Sequence, residues 1–190
     1  MPGHNRRNTG RTRAGSGGAV APGSEPHAGI QGDAETVRLL NLVLKNELTS
    51  INQYFLHSRM LADWGLSEFA KKEHEESIDE MKHADRLIKR ILFLGGLPNL
   101  QDLGKLLAGE DVNEVIASDL KLELHSLPDL KRAIAHTETV KDYVSRELFT
   151  DILEGEEEHI DWLQTQRRLI EQMGTENFVQ LQTKPNATGS

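Results

Sequence analysis

Cysteine is absent from the 190 residues. Disulfides, thiolate metal sites and cysteine nucleophiles are excluded together. Any metal must then be held by His, Asp and Glu, which suits harder ions than a zinc finger takes. No run approaches the ~20 apolar residues of a membrane span. No stretch alternates β-branched with polar residues, so no sheet is expected. What is present is 37% hydrophobic and 27% charged residues, the balance of a folded, soluble body of one domain.

The net charge of −8 is unevenly placed. Residues 1–30 carry four arginines (Arg6, Arg7, Arg11, Arg13) against Glu25, which leaves −11 on the remainder. An acidic body disfavours nucleic acid as the main partner and attracts cations. Residues 1–31 are rich in Gly, Pro, Ser and Arg, with almost no large apolar side chain. They read as a disordered extension, since they cannot bury enough surface to offset ordering. An apolar signal-peptide core is missing, and the glycines leave no amphipathic face for a transit peptide. A polyanion-binding arm is the other reading of the four arginines; a solvated tail is preferred.

The folded part, residues 32–182, reads as helix almost throughout, with a flexible tail over 183–190. Helix A runs from about Ala34 to Asp63 behind Asp33 as N-cap. Trp64-Gly65-Leu66 turns the chain, and Ser67 caps helix B, which ends at Gly95-Gly96. Asp111 opens helix C, with Glu114 at capping-box spacing. Helix D runs from near Asp142 to Met173, Gly174 ends it, and a short helix from Thr175 to about Gln182 follows. Pro128 removes a backbone bond inside helix C and presses on the Leu124 carbonyl, which predicts a kink or short break. The connection from Leu97 to Glu110 reaches about 45 Å when extended, and helix B is about 42 Å long. The connection can therefore return along the whole bundle and make B and C parallel. The fold class is an all-α, ferritin-like four-helix bundle with one long B–C crossover and a short fifth helix.

Each helix carries an apolar stripe at three- and four-residue steps. On A it is Leu40, Leu44, Glu47, Ile51 and Tyr54; on B, Phe69, Glu76, Glu80, His83, Leu87, Ile91 and Leu94. On C it is Ile116, Leu120, Glu123, Leu127, Leu130 and Ile134; on D, Ile152, Glu156, His159 and Leu163. An acid in the middle of an apolar stripe is unusual, and here every helix has one near its midpoint. Four buried carboxylates without cations would be prohibitive. Two divalent ions would leave the set neutral, and His83 and His159, three residues after Glu80 and Glu156, face the same way. Helical bundles that hold di-iron or di-manganese centres use this arrangement. Carboxylates of this kind stabilise oxidised metal, and open positions let Fe(II) enter and Fe(III) leave. Tyr54 and Trp162 lie near enough to supply an electron, though core packing is the plainer role for both.

The strings Asn46-Glu47-Leu48, Glu76-Ser77-Ile78-Asp79-Glu80-Met81-Lys82-His83-Ala84-Asp85, Gly96-Leu97-Pro98-Asn99 and Glu157-Glu158-His159-Ile160-Asp161-Trp162 closely resemble bacterioferritin. The resemblance spans about Gly32 to Met173. It implies a cytoplasmic ferroxidase and iron-storage subunit of a 24-subunit shell built from dimers, acting on Fe(II) with oxygen or hydrogen peroxide. A ferredoxin-type reductant is implied for iron release. In the family pattern, two non-haem iron ions bind per subunit. Glu47 and His83 serve one, Glu123 and His159 the other, and Glu80 and Glu156 bridge. The pattern also implies a b-type haem on a two-fold axis, ligated by Met81 of each of two subunits. Met81 points about 100° from the inward face. Its helical neighbours Ala70, His74, Ser77, Ile78, Ala84 and Ile88 read as a second contact stripe. Without the resemblance, an interface filler is the simpler role for this methionine.

Two functions follow. One is iron oxidation at the dinuclear site, with mineral growing in an acidic cavity lined by residues such as Glu73, Glu75, Glu76 and Asp79. The other is a haem-binding structural subunit whose dinuclear site is inactive. A rubrerythrin-like peroxidase needs a cysteine-ligated iron module, which this chain lacks. A DNA-protecting mini-ferritin places its metals between subunits, so it fits poorly.

Overall fold

In a computed structural model, which describes residues 30–183, the chain forms five α-helices and no strand among those residues. They are α1 (Ala34–Asp63), α2 (Ser67–Phe93), α3 (Val112–Thr139), α4 (Tyr143–Met173) and α5 (Thr175–Gln182). The expected N-terminal extension, apart from its last two residues, and nearly all of the expected C-terminal tail lie outside the described residues. No described helix is long and apolar enough to cross a membrane.

The helix boundaries have local causes. Asp33 accepts the Thr36 N–H at 2.8 Å and also meets His136 Nε2 at 2.7 Å, tying the start of α1 to the last turn of α3. Asp111 accepts the amides of Asn113 and Glu114. Glu114 reaches back to the Glu110 amide, one residue earlier than a capping box would place it. Ser67 is not the cap of α2: Leu66 holds that position, and no side chain caps it. Gly174 ends α4 with φ of 80°, a conformation that favours glycine. Of the kink or short break expected at Pro128, the break is absent, because α3 runs unbroken through it. Leu124, whose carbonyl loses its amide partner, is half exposed, so water can take the vacated bond.

The crossover confirms the parallel arrangement of α2 and α3. Its backbone follows α1 from the N-terminal to the C-terminal half, held by a stripe at four-residue steps. Asn41 Oδ1 accepts the Asn99 amide at 2.7 Å, and Lys45 pairs with Asp102 at 2.9 Å. Thr49 accepts the Gly104 amide and Gln53 the Leu107 amide, both at 2.8 Å. His57 Nε2 accepts the Gly109 amide at 3.1 Å. The loop thus delivers α3 to the end of the bundle where α2 begins.

The core falls into two apolar clusters. One gathers Leu40, Leu44, Leu87, Ile91, Leu130 and Phe149. The other gathers Leu61, Phe69, Ile116, Leu163 and Phe178, the last brought in by α5. Between them lies a buried layer of Glu47, Gln53, His57, Glu73, Glu80, Asp119, Glu123, Glu156 and His159. Such a layer weakens the core unless its charges are matched.

Candidate metal centre

The four mid-helix acids come from four different helices and meet in the buried layer. Glu47 and Glu123 are 1% exposed, Glu156 is 2% and Glu80 is 3%. Glu47, Glu123 and Glu156 follow the core residues Leu44, Leu120 and Ile152, and Glu80 precedes Ala84 and Leu87, so apolar packing of a neighbouring turn fixes where each carboxyl points. One ligand atom from each of Glu47, Glu80, His83 and Glu156 lies within 4.8 Å of all the others. His83 Nδ1 stands 3.2 Å from both Glu47 Oε2 and Glu80 Oε2. Across the centre, His159 Nδ1 stands 2.9 Å from Glu123 Oε1, and the Tyr54 hydroxyl donates to the same oxygen. Both imidazoles therefore turn Nδ1 inward, toward carboxylates. All six residues anticipated from the sequence are brought together.

The charges in this layer are unbalanced. Burial pushes the Glu47 carboxyl up to about 7. Burial and the neighbouring glutamates hold Glu80 and Glu156 well above the ordinary carboxylate range. Burial alone would raise Glu123 as well, but hydrogen bonds with Glu156, His159 and Tyr54 pull it below its ordinary value. Burial would lower His159, yet the hydrogen bond and charge of Glu123 raise it. Protons are thus held where cations would neutralise the same charge. Glu123 Oε2, Glu156 Oε2 and His159 Nε2 are buried without a hydrogen-bond partner. Orphaned carboxylate oxygens in one buried layer fit a hard, divalent, oxygen-seeking ion.

The aromatics pack around the His159 half. The Tyr54 ring meets His159 edge-on at 5.1 Å, and Trp162 stacks on it at 5.9 Å. Tyr54 is fully buried, and the Lys72 ammonium sits over the Trp162 ring at 5.7 Å. His83 lacks such cover, and its side chain is 18% exposed.

A second buried group was not anticipated. His57, Glu73 and Asp119 bring ligand atoms within 4.8 Å of one another, and all three are fully buried. Because His57 Nε2 accepts the Gly109 amide, the ring proton resides on Nδ1, which donates to Asp119 at 2.8 and 2.9 Å. Gln53 donates to the same carboxylate at 2.8 Å. The proton on Nδ1 occupies the position a metal would need, so this group is a tie between α1, α3 and the crossover. Both Glu73 oxygens are buried without a hydrogen-bond partner, and burial, reinforced by the Asp119 charge, holds its carboxyl well above the ordinary range. Glu73 is therefore a core residue, which corrects the expectation that it lines an acidic cavity. Glu76, 9% exposed and paired with Lys72, departs from that expectation too, whereas Glu75 and Asp79 are exposed. Sequence reading missed His57 and Asp119 because a single polar residue on a helix stripe gives no signal before its partners are placed.

Met81 lies off the inward face of α2 and is 52% exposed. Its expected stripe is only partly outward: Ala70, Ser77 and Ala84 are buried within the protomer. Ile78 and Met81 of α2, and Phe55 and Leu56 of the adjoining α1, are the exposed large apolar residues in the middle of these two helices.

The comparisons with known proteins agree with this architecture. The ferritin-like domain family matches residues 37–173. A bacterioferritin of Brucella melitensis biotype 1 is 45% identical over 156 residues, 82% of this chain and 97% of that protein. One of Rhodobacter capsulatus is 44% identical with the same coverage. One of Mycobacterium leprae is 46% identical over 149 residues, covering 78% of this chain and 94% of that protein. With the bundle, the crossover and the acid layer all in place, the chain belongs to the ferritin-like family and, within it, to the bacterioferritins.

Proposed function

We propose that this chain is a cytoplasmic iron-storage subunit that oxidises Fe(II) to Fe(III) at an intrasubunit dinuclear centre and contributes to an oligomeric shell holding the ferric mineral. The observation that carries the reading is the convergence of four buried carboxyls and two inward-facing imidazoles on one depth of the bundle. Glu47 and His83 would hold one Fe(II), Glu123 and His159 the other, with Glu80 and Glu156 shared between them. Each Fe(II) yields one electron. Two together reduce one oxygen molecule to hydrogen peroxide, or one peroxide to two waters, with uptake of two protons in either case. Glu80 and Glu156, held protonated by burial without metal, would release their protons as Fe(II) enters, so the two protons taken up by the oxidant come from solvent. Holding both metals in one buried layer makes the two-electron step intramolecular.

Stopped-flow oxidation of Fe(II) by the assembled protein tests the reading. Glu80→Ala removes a bridging carboxylate, and the fast phase should fall by on the order of 100-fold. Equal rates in variant and wild type would leave the alternative, a haem-binding structural subunit with an inactive centre.

The half-exposed Met81 thioether would hold the iron of a b-type haem shared with a second copy of the chain. Haem supplies a one-electron path between the exterior and stored iron. Met81 would orient it, and Phe55 and Ile78 would exclude water from its edge. Haem should be retained through purification by the wild type and lost from Met81→Ala, which the absorption spectrum reports directly. A ferredoxin-type reductant for iron release belongs to the same reading, and no membrane or nucleic-acid partner is needed.

A further inference from the structure

The two halves of the proposed centre are built differently, and one glycine accounts for the difference. Gly155 lies mid-way along α4, immediately before Glu156, in ordinary helical conformation. The backbone there does not require glycine, and glycine inside a helix costs about 1 kcal/mol relative to alanine. Space explains it instead. A Cβ built on Gly155 would stand 3.3 Å from His83 Cε1 and 3.7 Å from Nε2, tighter at the carbon than nearly all real contacts. The far edge of the His83 ring therefore borders the space that a side chain at 155 would fill, while Nδ1 reaches 3.2 Å from Glu47 and Glu80. His83 also borders a groove of about 410 Å³ between α2 and α4, shared with Glu76, Asp79, Arg86, Gly155 and Glu158. His159, by contrast, is wedged between Tyr54 and Trp162.

We propose that Gly155 is a positioning residue for His83: the missing Cβ lets the imidazole lie against α4 with Nδ1 between Glu47 and Glu80, and so sets the metal affinity of that half of the centre alone. The inference rests on the dinuclear reading above. Any side chain at 155 would push the ring by a few tenths of an ångström toward the groove. No aromatic neighbour holds it there as Tyr54 and Trp162 hold His159. Nδ1 would retreat from the two carboxylates, and the Glu123–His159 half would be untouched.

Titration of the metal-free assembly with Co(II), followed by visible absorption, tests this together with thermal unfolding of the same metal-free samples. Wild type should bind two Co(II) per chain. Gly155→Ala should unfold at a higher temperature, because alanine favours helix, yet bind one of its two Co(II) at least about tenfold more weakly. Gly155→Val should weaken that same step further. His83→Ala identifies the step by removing it. A glycine with only a helical role would give raised stability and two unchanged affinities, which overturns the proposal. Weakening of both steps equally, or of the step that survives in His83→Ala, overturns it as well. Wild type that fails to take up two Co(II) would instead remove the dinuclear reading itself.

Discussion

Glu47 reports the state of the centre more directly than any other residue. Its carboxyl is held at about 7 by burial, against an ordinary 4.5. The folded chain thus binds a proton that the unfolded chain has already lost, so this group's contribution to stability is full below about pH 4.5 and is lost as pH rises to about 7. In metal-free protein, Glu47→Gln should match wild type near pH 4.5 and exceed it at pH 8 by roughly 3 kcal/mol, read from denaturant midpoints. Saturating divalent metal should reverse the order, because the variant loses a ligand. A constant difference across the whole range would show that Glu47 is not held protonated.

Glu73 carries a related cost without a metal to relieve it. Neither carboxyl oxygen has a partner, so replacing it by an apolar side chain of similar length removes a penalty and leaves no cavity. Glu73→Met should stabilise the protein by about 1–3 kcal/mol at neutral pH in equilibrium unfolding. Loss of stability would mean that the carboxyl has a partner in solution. The sequence gives no warning of this position, since Glu73 sits in the acid-rich run Glu73-His74-Glu75-Glu76 and reads as solvated surface. Glu80, only two turns on, is legible because Ala84, Leu87 and Ile91 continue its stripe at helical spacing and a histidine follows at the right step.

Among the elements, helices announce themselves by capping and by stripe, while the crossover does not. Asp33, Asp111, Asp142 and Gly174 mark termini that the structure confirms. The length of the crossover implies its course, but its attachment is invisible beforehand. Asn41, Lys45, Thr49, Gln53 and His57 form a polar face on α1 that looks made for water. In the fold Asn41, Thr49, Gln53 and His57 accept backbone amides from the loop instead, and Lys45 pairs with Asp102. The short break expected at Pro128 is absent for a related reason: one lost bond costs little where the residue that loses it, Leu124, is half exposed. Gly109 shows how closely the loop is seated, since a Cβ there would lie 2.3 Å from the Val115 nitrogen. Gly109→Ala should destabilise the protein by about 1–3 kcal/mol, seen as a lower unfolding midpoint. It should also lengthen the His57 contact, because the loop must lift away from α3. An unchanged midpoint would show that the loop is looser than its hydrogen bonds indicate.

For the molecule as a whole, Phe55, Leu56, Ile78 and Met81, the proposed haem ligand, leave apolar surface exposed on the paired helices α1 and α2. Arg59 covers one side of Phe55, its guanidinium 4.9 Å from the ring centre. Burying such a face against a second copy would remove it from water, and a charge placed there would be desolvated without a partner. Phe55→Asp should therefore shift the assembled protein toward smaller species in light scattering, while the helical content of the protomer stays as in wild type. An assembly of unchanged mass would place the contact elsewhere.

The four-step stripe beneath the crossover gives the loop an uneven grip. Amides of Gly104, Leu107 and Gly109 are held by α1, while those between them have no such anchor. Deuterium uptake along this segment should consequently proceed as alternating slow and fast positions, and not as one uniformly labile stretch. The slowest of the three should be Gly109, whose acceptor His57 is itself braced by Asp119 deep in the bundle.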